Sequence, residues 1–483
     1  MSFKKNDICE IKIEDLGING EGIGKADGYT IFVKDTVIGD MARVKIIKAK
    51  KHYGYGRLME LIAPSAFRGT PRCAHARACG GCQIQHVQYE AQLRFKQEKV
   101  AGLLEHIGGT KDYVMYPIIG MEDPWFYRNK VQYPVGLDKE GHAVTGFYAG
   151  RTHSIIPVEQ CFIQDERNEK IMAIIRRWID TFHISVYDET AHRGLVRHIL
   201  TRIGRHTDEI MVCLILNGSH LPHAEELITE LKKLPGMTSI CININRDKTN
   251  VILGDQVKCL WGQSYITDRI GDVSYQISPL SFFQVNPVQT EVLYRTALDF
   301  ADLKDTDMVW DLYCGIGTIS LFLARHARKV CGVEIIPQAI EDARENARLN
   351  GIDNTEFFVG KAEDVLPAEY EKRHVRADVI VVDPPRKGCD EKLLDCMVKM
   401  DPERIVYVSC DPATLARDVK ILEGRGYKLE KVQCVDMFPH SVHVEVVCLL
   451  SKLKTYKHID VELEMDELDL TAAESKATYA EIK

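Results

Sequence analysis

VWDLYCGIGT, residues 309–318, reads as an apolar strand, a glycine-rich turn and the start of a helix. Glycine lets the backbone approach a ligand closely, because it has no side chain in the way. A second strand, residues 329–333, ends in Glu334. An acid at the tip of that strand can accept hydrogen bonds from both hydroxyls of a ribose. The stretch therefore predicts an α/β fold with an adenosine ligand near Gly315, Gly317 and Glu334.

Apolar strands alternate with helical segments from about residue 285 onward. We expect strands at residues 308–310, 330–333, 379–382 and 405–408, and a clear helix at 337–349. Such alternation indicates a parallel sheet with helices on both faces. Ligands of these sheets lie at the carboxyl ends of the strands.

A missing glycine restricts the class of ligand that the glycine loop can bind. The third glycine of the dinucleotide fingerprint is missing. Asp311, with Gly315, Gly317 and a later acid, resembles the S-adenosylmethionine loop of class I methyltransferases. The resemblance implies a Rossmann-like methyltransferase domain over residues 276–455. A nicotinamide or nucleotide site remains the alternative for the loop alone.

Two further regions precede this domain. Residues 1–62 contain short β-rich runs separated by glycines, and residues 63–275 mix strands and helices, with a helical part near 90–122 that could pack on the catalytic domain. Residues 43–57 hold six basic residues and two tyrosines but no acid. A basic, aromatic barrel face suits RNA, although an ordinary solvated strand edge fits equally well. Central basic residues, among them Arg128 and Arg202, either contact phosphates or are surface charges.

Composition restricts the class of protein. The 483 residues carry a net charge of −8, of which residues 460–483 contribute −6 from eight acids and two bases. We expect residues 456–483 to be a disordered, acidic tail. No apolar run is long enough for a membrane span, and we expect no signal peptide, because no apolar stretch follows the first five residues. We expect a cytoplasmic monomer, and no disulfide framework from the fifteen cysteines.

Three side chains downstream suggest covalent chemistry on a pyrimidine. Asp383 follows one strand in a stiff Asp-Pro-Pro-Arg turn, Cys410 follows the next, and Glu445 lies in a later apolar segment. Singly, Cys410 is better read as a small buried residue and Glu445 as a surface acid. Together they meet a need: a thiolate that adds to carbon 6 of uracil makes carbon 5 nucleophilic, and a base then removes the carbon 5 proton. Asp383 and Gln284 could bind the ring.

Five motifs closely resemble those of the RNA uracil-5-methyltransferase family, over roughly residues 1–455. They are residues 282–286 (FFQVN), 311–317 (DLYCGIG), 383–388 (DPPRKG), 409–418 (SCDPATLARD) and 443–445 (HVE). The resemblance implies Cys410 as nucleophile and Glu445 as base. It further implies contacts to S-adenosylmethionine or the target uracil from Gln284, Tyr313, Glu334 and Asp383, and Phe282 stacked on a flipped base.

This chain differs from many family members at one position next to Cys410, and the resemblance also includes the N-terminal region. Many relatives have Asn where this chain has Asp411, whose charge would tend to raise the pKa of the neighbouring thiol. Residues 1–62 resemble a TRAM domain, an RNA-binding barrel of this family, which favours the RNA-binding interpretation of their basic face.

Cys73, Cys79 and Cys82 form a compact group, and Cys161 is the fourth candidate. Four thiolates suit either a zinc ion or an iron–sulfur cluster, and the spacing leaves both open. The resemblance to the iron–sulfur branch of the family favours a 4Fe–4S cluster held by these four residues.

The cluster together with a TRAM domain points to 23S ribosomal RNA as the substrate, since the transfer-RNA branch resembles a leaner version lacking both. The same chemistry on transfer RNA is the first alternative. A non-catalytic RNA-binding iron–sulfur protein is the second.

Overall fold

The computed structural model describes residues 3–150, 152–373 and 376–453. The acidic tail that we expect at residues 456–483 lies outside the described residues. Among the described residues, no helix is long and apolar enough to cross a membrane. All fifteen cysteines are described, and each is a free thiol.

The N-terminal unit is a closed five-stranded barrel with the strand order β1-β2-β3-β5-β4. Glycine-rich turns separate the strands, and alternate apolar side chains such as Ile13, Ile31 and Val44 fill the interior. The strands are β1 (Ile8–Leu16), β2 (Gly22–Ala26), β3 (Tyr29–Val33), β4 (Met41–Ala49) and β5 (Tyr53–Ala63).

The central region is built on a seven-stranded sheet with the order β13-β12-β11-β10-β7-β8-β9. Two helices, α2 (Arg167–Thr181) and α3 (Ala224–Leu231), pack on one face. The strands are β7 (Lys130–Leu137), β8 (Ala143–Tyr148), β9 (Ile155–Pro157), β10 (Val196–Ile203), β11 (Ile210–Leu216), β12 (Met237–Ile244) and β13 (Gln256–Gly262).

The other face of this sheet packs against the catalytic domain. Every residue of β10 and β11 is buried, because Leu200, Met211 and Ile215 join the same apolar core as Phe283 and Leu293. The hairpin of β14 (Ile266–Ile270) and β15 (Val273–Ile277) leads into that domain. The central region and the catalytic domain therefore share one core.

The catalytic domain is an α/β sheet with helices on both faces, as the alternating pattern predicted. Its strands are β16 (Met308–Leu312), β17 (Lys329–Glu334), β18 (Thr355–Val359), β19 (Val379–Val382), β20 (Arg404–Ser409), β21 (Tyr427–Val435) and β22 (Glu445–Lys452). The helices are α4 (Pro287–Ala301), α5 (Thr318–Ala324), α6 (Pro337–Leu349), α7 (Ala362–Arg373), α8 (Glu391–Lys399) and α9 (Pro412–Glu423).

The strand order is β18-β17-β16-β19-β20-β22-β21 followed by β6 (Val114–Ile119) at the edge, and β22 runs antiparallel to both neighbours. The sequence did not predict this reversal. Its cause is the connection: residues 436–444 form a short loop without a helix, and parallel strands need a crossover of a dozen or more residues.

An element from before the central sheet completes the catalytic sheet. The strand β6 (Val114–Ile119) pairs in parallel with β21 at the sheet edge. It follows α1 (Tyr89–Leu103), which continues as a π-helical turn over Leu104–Gly108 and packs against α9. Residues 89–119 thus belong structurally to the catalytic domain.

Candidate active site

The glycine loop after β16 turns the backbone through left-handed conformations. Gly315 and Gly317 have φ angles of 56° and 81°. A Cβ atom at Gly315 would meet nothing within 4 Å, whereas one at Gly317 would lie 3.2 Å from Ala343. Gly315 therefore opens onto the neighbouring cavity, while Gly317 permits close packing of the loop on α6.

Glu334, the last residue of β17, faces the loop. Its Oε2 accepts a hydrogen bond of 3.3 Å from the backbone N–H of Gly315, and its Oε1 accepts one of 3.0 Å from that of Ile336. The acid and the loop are held together at the carboxyl edge of the sheet, where an adenosine ligand would lie.

A cavity of about 810 Å³ runs from this edge across the ends of the central strands. The sequence-predicted site residues in its wall are Phe282, Gln284, Tyr313, Gly315, Glu334, Asp383, Cys410 and Glu445. Gly317, the second glycine of the loop, is not in the wall, because it packs against Ala343 of α6. Residues separated by more than 150 positions therefore meet in one cavity.

Cys410 lies half-buried between the end of β20 and the start of α9. Burial, with the nearby carboxyls of Glu445 and Asp383, raises the pKa of its thiol to about 11, and Arg386 acts in the opposite direction. Asp411 is the N-cap of α9, and its carboxylate accepts from the backbone N–H groups of Ala413 and Thr414. The carboxyls that act on the thiol most strongly are thus Glu445 and Asp383.

Glu445 is the first residue of β22 and is only 3% exposed. Burial raises the pKa of its carboxyl well above the usual range, and Asp383 adds to the effect. Burial also raises the pKa of Asp383, to about 7. A carboxylate with a raised pKa is a stronger proton acceptor, so this wall of the cavity suits general-base chemistry.

Phe282 and Gln284 enter from the segment before α4. Phe282 is 66% exposed at the cavity mouth, whereas Gln284 is buried. Arg202 is fully buried, and its guanidinium donates to the carbonyl oxygen of Ser281, next to Phe282. The sequence had read Arg202 as a phosphate contact or a surface charge, and both interpretations are wrong, because the side chain supports the loop from inside.

Side chains of helix α1 bind the loop of residues 436–444, which immediately precedes Glu445. The fully buried Nζ of Lys96 lies 2.5 Å from Oδ1 of Asp436 and donates to the carbonyl of Phe438 at 3.0 Å. The hydroxyl of Tyr89 donates to Oδ2 of Asp436 at 2.9 Å. Sequence reasoning missed this support, and it assigned no role in the site to Arg386, Phe438 and His443, which also line the cavity wall.

A second cavity, of about 290 Å³, is lined by Cys73, Cys79, Cys82 and Cys161. Burial and the neighbouring thiols raise the pKa of Cys82 to about 12, and burial raises that of Cys161 to about 11. Within the described residues, no group of three or more His, Cys, Asp or Glu side chains is arranged to hold a metal ion. Arg128 lines both this cavity and the larger one.

The barrel presents aromatic rings beside its basic residues. Phe32, Tyr53 and Tyr55 pack against one another with ring centroids 5.7–5.9 Å apart. Lys48 and Lys50 are exposed nearby on β4 and the turn after it, whereas Arg43 pairs with Glu10 and Glu60. Tyr53 is exposed and the other two rings are partly buried. Accessible rings among cations are the features by which proteins stack on and attract single-stranded RNA.

The sheet, the glycine loop and the acid of β17 define a class I, S-adenosylmethionine-dependent methyltransferase. The model of the tRNA (uracil-5-)-methyltransferase family matches residues 88–453, and that of the TRAM domain matches residues 3–59. The chain belongs to this family of RNA methyltransferases and carries an N-terminal TRAM domain.

Three related proteins each match more than nine-tenths of this chain. RNA methyltransferases described as uncharacterized, from Clostridium tetani and Halalkalibacterium halodurans, are each 51% identical, over 93% and 92% of this chain and 97% of theirs. The crystal structure of Pyrococcus abyssi tRNA (uracil-54, C5)-methyltransferase with S-adenosyl-L-homocysteine superposes with a TM-score of 0.72 at 29% identity. It covers 92% of this chain and 100% of that one.

Proposed function

We propose that this protein transfers the methyl group of S-adenosylmethionine to carbon 5 of a specific uridine in 23S ribosomal RNA, with Cys410 as nucleophile and Glu445 as base. The observation that carries the chemistry is the cavity wall itself. It brings a thiol and two carboxyls with raised pKa values to the same cavity as the glycine loop. The cofactor would lie along Gly315 and Glu334, and the flipped uracil between Phe282 and Cys410.

Each step of the proposed methyl transfer can be assigned to residues of the cavity wall. Cys410 adds to carbon 6 as the thiolate, and the ring electrons move to the carbonyl at carbon 4, leaving an enolate that Gln284 and the protonated carboxyl of Asp383 stabilise by hydrogen bonds. When bound, S-adenosylmethionine would supply the methyl group to carbon 5 and would leave as S-adenosylhomocysteine. Glu445 removes the carbon 5 proton, the bond from sulfur to carbon 6 breaks, and methylated RNA is released.

The choice of RNA is the finer part of the proposal. Our argument for 23S ribosomal RNA rests on the TRAM domain and the four-cysteine site occurring together. A second candidate, transfer RNA, is favoured by the Pyrococcus abyssi enzyme, whose printed substrate is tRNA and whose 92% coverage of this chain must take in most of the barrel and the central region. The presence of those two regions therefore discriminates weakly between the two RNAs.

Mass-spectrometric mapping of 5-methyluridine separates the candidates. Ribosomal and transfer RNA are isolated from the parent strain, from a strain lacking the gene, and from that strain complemented with Cys410→Ala. We expect one uridine of 23S RNA to lose its methyl group in the deletion and in the Cys410→Ala strain. Loss of 5-methyluridine from transfer RNA alone would show that transfer RNA, and not 23S RNA, is the substrate. Unchanged methylation in both RNAs would refute the proposed activity.

For the second cavity we propose a 4Fe–4S cluster held by Cys73, Cys79, Cys82 and Cys161. In support, the four thiols surround one cavity, all are free, and Cys₄ is the usual ligand set of such clusters. The methyl transfer needs no electron, so the cluster would act structurally, by tying residues 73–82 to residue 161. Protein purified without oxygen should contain about four iron atoms per chain by this proposal, and zinc without iron would contradict it.

A further inference from the structure

Glu445 must discharge a proton once in every catalytic cycle, yet its carboxyl has little access to solvent. The residue is 3% exposed. Within the described residues, its carboxylate forms no hydrogen bond that would carry a proton away. A bound RNA base would close the remaining opening towards the cavity.

His443 occupies the position from which the proton can leave. It lines the same cavity as Glu445, whereas Val444 between them is fully buried in the opposite core, so the two polar side chains face the same way. His443 is half-buried, more accessible than Glu445. The ring of Phe438 lies edge-on to the imidazole at 6.1 Å, and within the described residues neither ring nitrogen is committed to a hydrogen bond.

Burial, and to a lesser degree the surrounding cations, keeps the imidazole neutral when no RNA is bound, so a ring nitrogen is available to accept a proton, although only as a weak acceptor. Burial lowers the pKa of His443 to about 4, helped by the cations of Arg386, Lys99, Lys96 and Arg128. RNA phosphates that neutralised these cations would weaken that effect and make protonation easier. Asp383 also faces Glu445, but in the proposed reaction it is engaged with the uracil ring.

We propose that His443 relays the proton of Glu445 to solvent and so restores the base after each methyl transfer. The O–H bond of the Glu445 carboxyl breaks as an N–H bond forms on the imidazole, directly or through one water. The imidazolium then releases its proton to bulk water, and no electrons are transferred. This inference rests on the proposed function, because it assigns a role that His443 performs through Glu445.

The experiment uses two probes that do not depend on which RNA is the substrate. One is total RNA from a strain lacking the gene. The other is total RNA from the same strain grown with 5-fluorouracil, in which fluorine replaces the proton that Glu445 would remove. The covalent adduct of Cys410 with fluorinated RNA therefore forms without any proton to relay. Methyl transfer is followed with labelled S-adenosylmethionine, and adducts are resolved on denaturing gels.

For His443→Ala we expect adduct formation on the fluorinated RNA within about twofold of the wild-type rate. Turnover on the ordinary RNA should fall at least about tenfold, with a covalent adduct accumulating. Added imidazole should restore turnover, because it can occupy the vacated space and accept the proton. His106→Ala, which removes an exposed histidine in the π-helical turn, should behave as wild type with and without imidazole.

Three outcomes would overturn the relay: an equal fall on both probes, which indicates a role in folding or RNA binding; unchanged turnover; or a loss that imidazole does not restore. If the wild-type protein itself forms no adduct with fluorinated RNA, the covalent mechanism fails instead. The failures of the two proposals are therefore distinguishable.

Discussion

Lys96 and Asp436 form a fully buried ion pair, with Nζ 2.5 Å from Oδ1. The lysine lies on α1, ahead of the central sheet, and the aspartate lies at the start of the loop that leads to Glu445. The pair therefore joins the early part of the chain to the last strand of the catalytic sheet.

Removing one partner of this pair should be costly. Lys96→Met leaves an uncompensated buried carboxylate, so we expect a loss of about 3–5 kcal/mol in the free energy of unfolding. Urea denaturation followed by circular dichroism measures the loss. The control is Lys111→Met, which breaks an exposed pair with Glu105 and should leave stability unchanged. Equal stability of the two variants would contradict the assigned role of Lys96.

Cys410→Ala should abolish methyl transfer, with kcat/KM at least about 10³-fold lower, because the uracil ring can no longer be activated covalently. It should also form no adduct with RNA containing 5-fluorouridine. Cys9→Ala, which removes a half-buried thiol from the barrel, is the matched control and should retain both properties. A Cys410→Ala protein that still methylates would exclude the covalent mechanism.

The thiol of Cys410 should react slowly with iodoacetamide at neutral pH in the absence of RNA. Its pKa is raised to about 11, and only the thiolate reacts, so the rate should rise about tenfold per pH unit between pH 7 and 10. Glu445→Gln removes a carboxyl that raises this pKa, so it should lower the pKa and speed the reaction at a given pH. Peptide mass spectrometry assigns the alkylation to Cys410. A slower reaction in Glu445→Gln would contradict the sign of this coupling.

The two loop glycines should respond differently to alanine. Both substitutions place a side chain in the left-handed region, at a cost of about 1–2 kcal/mol each. Gly315→Ala also projects a methyl group towards the cavity, so the Kd for S-adenosylmethionine should rise, as calorimetry would measure. Gly317→Ala crowds Ala343 and Phe357 instead, so thermal unfolding should show the larger loss of stability. The reverse pattern would mean that Gly317, and not Gly315, borders the cofactor.

The sequence predicted the positions of those site residues that directly follow a strand of the parallel sheet. Gly315, Glu334, Asp383 and Cys410 each follow a short apolar run, and parallel strands bring their carboxyl ends to one edge, so the sequence predicted that they would meet. The four cysteines were likewise expected to converge, from local spacing and the family resemblance.

The supports of the site could not be predicted in this way. Lys96 and Asp436 are 340 residues apart, and a single lysine on a helix reads as a solvated charge. Arg202 becomes buried only because the central sheet packs against the catalytic core. The strand β6 is short and largely exposed, and nothing in its composition indicates which sheet it joins.

The place of β6 at the catalytic sheet edge limits how this chain can be divided. A fragment that starts at residue 276 retains the five motifs, yet it would present β21 as an unpaired edge and leave Asp436 without its cation. Unpaired strand edges promote intermolecular association. During synthesis, α1 and β6 leave the ribosome long before β21 exists, so the catalytic half can complete its folding only around a segment already made. The motif-bearing half of the chain is therefore not a separable module.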